Sequence, residues 1–336
     1  MQVREWDPAA APADEIAALL CTLNLILAAD VPEDPLWRTD LFREYLAVTM
    51  PGERRICWLA EEAGRIVGYA SILLIGDIAV LDLLVRPDRR RSGAGRTLLA
   101  AAARRADAEE FASIGVEVVG DTPATGFFER HGFRCAFIEM RTVLDLSGVD
   151  WVQVGTLAGG VGSGYRIEYY PGGPPEPLLD AYAQAKASVR LSPASDLELR
   201  PSSYDGERLR ASLTTLRARG LMPYIVLAVH EQSGDVAGLT EVVVPAQRPT
   251  RADQYDTIIV QKHRGYGLSR AIKARMLLEL RAAEPRLLDV QTWNGIGSEA
   301  VRRINDELGF KPDRQWREYE ADVVDLLRQL DPPSDT

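Results

Sequence analysis

Two short segments carry residue types and spacing suited to holding an anion. Arg90-Arg91-Ser92-Gly93-Ala94-Gly95-Arg96 and Arg264-Gly265-Tyr266-Gly267-Leu268-Ser269 each follow an apolar run and precede a helical pattern. Glycines let the backbone approach a ligand closely, and free amides at a helix N-terminus point at phosphate oxygens with the helix dipole behind them. A dinucleotide-binding turn would need a glycine three residues after Gly95, where Leu98 stands. Carboxylates stand close by in sequence. Asp82 and Asp256 occupy equivalent places ahead of the two loops, and Glu241 lies on the preceding run. The two aspartates are candidate general bases, with a strand-edge aspartate tied to a loop as the alternative, and Glu241 is a further candidate. His131 ends a short helical pattern, which suits a cap, and His263 precedes the second loop, which suits loop structure.

The elements that must position these groups are written twice. Arg65-Ile66-Val67-Gly68 resembles Asp235-Val236-Ala237-Gly238, Asp82-Leu83-Leu84-Val85 resembles Asp256-Thr257-Ile258-Ile259, and Gly132-Phe133 resembles Gly309-Phe310. With the two loops these landmarks recur in one order at spacings of 170 to 177 residues, a domain-sized repeat. Residues 1–150 are read as one domain and 165–328 as a second. Residues 151–177, rich in glycine and proline, read as linker and start of the second repeat, with 329–336 as a tail.

Within the first half, Ile16 to Leu27 and Trp37 to Val48 have helical spacing. Arg55–Glu61, Ile66–Ile75 and Ile78–Val85 have the β-branched, turn-separated look of a meander. A helix from Arg96 to Ala108, a strand at Ile114–Val119, a helix at Ala124–His131 and strands over Arg134–Leu146 follow. The second half is expected to place strands at Tyr224–Glu231, Val236–Val244, Asp256–Val260, Leu287–Trp293 and Trp316–Val324. Its helices carry Leu268, Ile272, Met276, Leu277 and Leu280, then Ser298 to Leu308. Strands and helices mix without strict alternation. This predicts an α/β (mixed α+β) protein in which each domain has a mixed central sheet with helices on both faces.

Composition narrows the function. At 336 residues with net charge −10, the chain has no footprint of a nucleic-acid binder held by phosphate contacts. Cys21, Cys57 and Cys135 show no CxxC pairing, and three histidines are too few for a histidine-rich metal centre, so no metal is expected. The longest apolar stretch, Ala70 to Val85, is interrupted by Asp77 and Asp82 and is short for a bilayer. With no apolar leader at the start, the expectation is a cytoplasmic protein, monomeric or homodimeric, with no membrane partner.

The sequence R-x-x-G-x-G between a strand and a helix, then a strand, then a short helix ending in Gly-Phe, resembles the GCN5-related N-acetyltransferase (GNAT) superfamily. The second half is similar to actinobacterial tandem GNAT proteins through Gln254, Asp256, Thr257, His263, Arg264, Gly265, Thr292, Trp293, Asn294, Asn305, Leu308, Gly309 and Phe310. The resemblance implies two tandem domains with splayed central sheets. Acetyl-CoA would lie as co-substrate between two parting parallel strands, opposite a small-molecule amine acceptor. It assigns the pantetheine arm to amides of Leu84 or Val85, and of Ile258 and Ile259. The diphosphate would fall to Arg90, Arg91, Ser92, Gly93, Ala94, Gly95 and Arg96, and to Arg264, Gly265, Tyr266, Gly267, Leu268 and Ser269, with Asn294 as a further contact. Family enzymes often carry a tyrosine in the last short helix to protonate the leaving thiolate. Here Phe128 and Asn305 fall at that position, and phenylalanine cannot donate a proton. One working copy and one degenerate copy is the favoured form of this reading, with a non-catalytic acyl-CoA sensor as the alternative.

Overall fold

A computed structural model describes residues 1–76, 78–188, 205–296 and 299–330. The chain divides into two compact units, one made of Met1–Glu139 and Arg314–Thr336, the other of Met140–Asp313.

In unit 1 the ladder runs β1 (Gln2–Trp6), β2 (Arg54–Glu62), β3 (Arg65–Ile75), β4 (Ile78–Val85), β5 (Ser113–Val119) and β12 (Lys311–Asp322). All neighbours are antiparallel except β4 and β5, which are parallel and joined through α3 (Ala94–Ala108). Alanine has the highest helix propensity, and Ala102, Ala103 and Ala106 are fully buried, so α3 lies close on the sheet. Beneath α3, Leu98 and Leu99 pack with Leu81, Val116, Val118 and Tyr319, joined by Leu326 and Leu330 of α10 (Val323–Leu330). The other sheet face is covered by α1 (Ala13–Asp30) and α2 (Phe42–Ala47) through Leu19, Leu20, Phe42, Leu59 and Tyr69. The helix expected over Trp37–Val48 is confined to α2; Trp37 is held outside it by hydrogen bonds with Asn24. A short helix α4 (Pro123–Arg130) follows β5.

Unit 2 orders its strands β6 (Arg134–Asp145), β11 (Asp289–Gly295), β10 (Arg251–Ile259), β9 (Val236–Pro245), β8 (Leu221–His230) and β7 (Tyr165–Pro171). Residues 140–145 of β6 supply its end strand: Thr142 Oγ1 donates to the Thr292 carbonyl, and Leu144 joins the unit 2 core. One face is covered by α5 (Trp151–Gly159) and α8 (Leu268–Ala283), the other by α6 (Leu179–Ala187) and α7 (Gly206–Ala218). The helix α9 (Glu299–Leu308) follows β11; Ser298, where that helix was expected to begin, lies outside the described residues.

The glycine-rich stretch read as a linker is ordered structure. Asp150 caps α5 by accepting from the amides of Val152 and Gln153, and Val154 is buried. The N-cap satisfies donors that would otherwise be orphaned, and the apolar face finds α8, so Gly155 is tolerated mid-helix. Pro171 ends β7 beside Tyr224 rather than continuing a tether. The strand expected from Asp256 begins at Arg251, because its first turn of charge is internally paired: Arg251 meets Asp289 at 2.5 Å and Gln291 donates to Asp253 at 2.6 Å. Charged residues of this kind read as loop until their partners are known.

Candidate active site

In unit 1 the parallel rungs between β4 and β5 end at Leu81 opposite Val116. Beyond that point β4 stays bonded to β3, with Asp82 opposite Ser71 and Val85 opposite Gly68. On its far side β5 stays bonded to β12, with Glu117 opposite Glu318 and Val119 opposite Trp316. Each strand is held by its outer neighbour while the inner edges part. The peptide groups of Leu83, Leu84 and Val85 then border a gap, the setting in which an extended ligand can complete a ladder.

The loop after β4 turns through Pro87–Arg89 into α3. Gly93 caps α3 at φ +93°, a left-handed conformation that L side chains rarely adopt, and nothing lies within 4 Å of where its Cβ would be. Arg91 is also left-handed at φ +63°. The first helical bond runs from Thr97 N to the Gly93 carbonyl, so the amides of Ala94, Gly95 and Arg96 have no intrahelical acceptor. Three such donors with the helix dipole behind them are the arrangement that favours an anion. A cavity of about 510 Å³ opens here, lined by Leu84, Val85, Gly93, Gly95, Phe127 and His131 among others.

The arginines near the loop have other duties. Arg90 makes a two-pronged pair with Asp30 at 2.8 and 2.6 Å, and its Nε donates to the Val85 carbonyl at 3.2 Å. Its guanidinium fastens the loop to α1. Arg96 donates to the Leu330 carbonyl and so fastens α3 to α10. His131 bonds through Nδ1 to the Phe127 carbonyl at 2.8 Å. Since only a protonated nitrogen can donate to a carbonyl, neutral His131 presents its other nitrogen as an acceptor. Phe128 is 2% exposed and packs against Phe133 in the core.

Asp82 accepts from Ser71 Oγ at 3.0 Å on the face opposite α3. The same face carries carboxylates that the sequence reading missed: Glu117 on β5, Glu318 beside it on β12, and Glu139 on β6. Burial, then Glu139, Glu318 and Asp82, push the Glu117 carboxyl up to about 7. Burial and Glu318 push Glu139 to about 7, and burial raises Glu318. Glu117 is an exposed residue on this face. No cation pairs with these three glutamates among the described residues. The available signal was a lone glutamate centred in the apolar run Ile114-Gly115-Val116-Glu117-Val118-Val119, next to the strand where the sheet opens.

Unit 2 repeats the parting. Its β10–β11 rungs end at Gln254 opposite Thr292, and the β9–β10 register shifts between Gln254 and Thr257, bulging the strand at Asp256. Ile258 and Ile259 follow on the free run. Asn294 lies on the parted stretch of β11, its Nδ2 enclosed and without an acceptor among the described residues. Gly267 caps α8 at φ +74°, and Arg264 Nε reaches the Ile259 carbonyl as Arg90 reaches that of Val85. Less space remains over this loop than over Gly93: the Gly160 carbonyl lies 3.6 Å from where a Gly267 Cβ would be, and Gly162 packs on Tyr266. His263 is occupied structurally, its Nδ1 2.9 Å from the Tyr165 hydroxyl, and burial lowers its pKa. Asp256 and Glu241 are brought together, each within ion-pair distance of Lys186.

At the acid position of unit 2, Asn305 is 1% exposed and accepts from Lys273 Nζ at 2.6 Å; Lys273 is 3% exposed and its Nζ stands 5.4 Å from the Phe310 ring centre. Their counterparts in unit 1 are Leu99 and Phe128, both buried. Burial alone brings Lys273 down from 10.5 to about 7. The folded chain therefore binds fewer protons than the unfolded chain between about pH 7 and 10.5, and stability rises with pH across that window. A Lys273→Met variant is expected to resist urea better than wild type at pH 7. That advantage, on the order of a few kcal/mol, should shrink as pH rises toward 10. A gap between the two denaturation midpoints that stays constant with pH would count against a neutral buried amine.

Among the described residues no cluster of three or more His, Cys, Asp or Glu could hold a metal ion, and no helix is long and apolar enough to cross a membrane. The model of the Acetyltransferase (GNAT) family matches residues 21–133. A mycothiol acetyltransferase from Stackebrandtia nassauensis is 36% identical over 77 residues, 22% of this chain and 25% of that relative. The solved structure of a tandem GNAT protein from the clavulanic acid biosynthesis pathway superposes with TM-score 0.79 at 25% identity, over 96% of this chain and 98% of that one. A GCN5-related N-acetyltransferase from Sphaerobacter thermophilus shares the fold at TM-score 0.65 and 16% identity, over 96% of this chain and 95% of its own. Residues 21–133 thus match the GNAT family, and with parallel strands that part in both units the chain has the fold of a tandem GNAT protein.

Proposed function

We propose that unit 1 is the working copy and transfers the acyl group of acetyl-CoA to a primary amine of a small, positively charged molecule. The observation that carries this reading is the juxtaposition of the open 510 Å³ cavity at the Gly93 loop with the unpaired glutamates across the parted strands. Acetyl-CoA supplies an activated thioester carbonyl. The amides of Ala94 to Arg96 hold the diphosphate, and the free peptide edge of Leu83 to Val85 aligns the pantetheine arm. An ammonium entering from the opposite face meets Asp82, Glu117, Glu318 and Glu139, whose potential attracts a cation. Glu117, held near neutrality, suits the removal of the ammonium proton, since a base is most effective when its pKa lies close to the working pH. Holding amine and thioester together provides the remainder through proximity.

A binding-only role has one observation on its side: Phe128 in the core leaves the usual acid position without a proton. Acetyl-CoA calorimetry with thiol release over an amine panel separates the two. The expected result is saturable binding with thiol release that favours dicationic amines over neutral or acidic ones. Saturable binding with no thiol release across the panel would establish the binding-only role instead.

A further inference from the structure

Lysine is rare here. Of 39 basic residues, only Lys186, Lys262, Lys273 and Lys311 are lysine, and all four lie in Met140–Asp313, so unit 1 has none. Where this chain wants only a positive charge it uses arginine. An enclosed lysine differs from arginine in that its amine can lose a proton and be acylated.

Lys186, on α6, has a side chain only 12% exposed, with Nζ 2.5 Å from Glu241 Oε2 and 3.0 Å from Asp256 Oδ2. Glu241 is on β9, and Asp256 sits at the bulge where β10 leaves β11. The equivalent pair in unit 1 is Ser71 and Asp82, on the face read as the acceptor side. An amine of the chain itself thus stands where unit 1, lacking lysine, must receive one from outside. Burial and the neighbouring Asp256 push the Glu241 carboxyl up, and Lys186 Nζ lies against it. On the coenzyme side, the enclosed Nδ2 of Asn294 has no acceptor among the described residues, a donor left for a ligand in the gap between β10 and β11.

We propose that Lys186 is the acceptor amine of unit 2, acylated within its own chain by an acyl thioester in the β10–β11 gap and, until then, keeping external amines from Glu241 and Asp256. The proposal rests on the reading that unit 2 retains acyl-CoA binding. In the step, the Lys186 ammonium passes a proton to Glu241. The freed nitrogen lone pair attacks the thioester carbonyl carbon, a C–N bond forms, and the C–S bond breaks. The departing thiolate takes the nitrogen's second proton, giving CoA thiol and a neutral amide. No oxidant or reductant is needed. The amide can no longer pair with Glu241 and Asp256, so acylation would release α6 from β9 and expose both carboxylates.

The test is to incubate the full chain with acetyl-CoA and map acetyl groups by peptide mass spectrometry. The expected result is a label at Lys186 that excess CoA suppresses, that Gly267→Trp and Lys186→Arg abolish, and that Gly93→Trp retains. Exposed Lys262 and Lys311 should stay unlabelled. Label on Lys262 and Lys311 with none on Lys186 would overturn the proposal, as would Lys186 label indifferent to excess CoA, which needs no variant to fold. Calorimetry of Gly93→Trp then locates the failure. Residual acetyl-CoA binding without label defeats the Lys186 acceptor alone. Absence of residual binding removes the premise for unit 2 and the proposal with it, while thiol release by wild type with external amines still decides the reading of unit 1.

Discussion

Glu117→Gln is expected to lower turnover of a primary amine roughly 10²- to 10⁴-fold, the range for removing a positioned general base. Glutamine keeps the shape of the side chain and cannot take a proton. The fold should tolerate it, because burial and three neighbouring carboxylates already disfavour the charge. The effect should fall on kcat more than on KM for acetyl-CoA, since Glu117 lies on the face opposite the Gly93 loop and its helix. The pH profile sharpens the test. Wild type is active with the carboxylate ionised, so its rate should rise through about pH 7, and the variant should lose that limb. Because Glu139 and Glu318 raise Glu117 through their charge, Glu139→Gln or Glu318→Gln should move the limb to lower pH. The limb belongs to the interacting trio, so shifts on neighbouring substitution are a signature a merely structural Glu117 would not produce. A Glu117→Gln rate within a few-fold of wild type, with the limb in place, would remove Glu117 from the mechanism.

Gly93→Trp is expected to weaken acetyl-CoA binding at unit 1 at least about 100-fold, roughly 3 kcal/mol, and to abolish amine-dependent thiol release. Two effects act together. An L side chain at the left-handed φ of +93° costs about 1–2 kcal/mol, and the indole occupies the space before the amides of Ala94, Gly95 and Arg96. Gly93→Ala separates them. Nothing lies within 4 Å of the added Cβ, so alanine carries the backbone cost without filling the cradle, and it should retain most of the affinity. If alanine and tryptophan weaken binding equally, the loop acts through its own conformation. If neither changes binding, the diphosphate is held elsewhere.

The repeat and the loops were legible because they are local. Spaced glycines before a helix announce an N-terminal anion site without knowledge of the rest of the chain, and both loops stand at that strand-to-helix junction. The role of Arg90 was not legible, because Asp30, the partner that occupies its guanidinium, is 60 residues away. Asp256 and Glu241 are candidate bases by sequence, and only the packing of α6 shows that a lysine from another element stands between them.

By itself the sequence determined a mixed α+β chain with two copies of one plan, and where each copy turns from strand to helix around its glycines. Only the tertiary structure decided which strand closes each unit, since β12 pairs with β5 in unit 1 while residues 140–145 of β6 serve unit 2. Both strands follow a Gly-Phe pair and share one alternation, so nothing local distinguishes their partners. Tertiary structure also decided the chemistry of the acceptor faces, where Glu117, Glu139 and Glu318 converge in one unit and Lys186 meets Glu241 and Asp256 in the other. The physical reason is one of range. Backbone propensity and glycine geometry act over a few residues, whereas the charge a carboxylate carries depends on neighbours that only the folded sheet brings within reach.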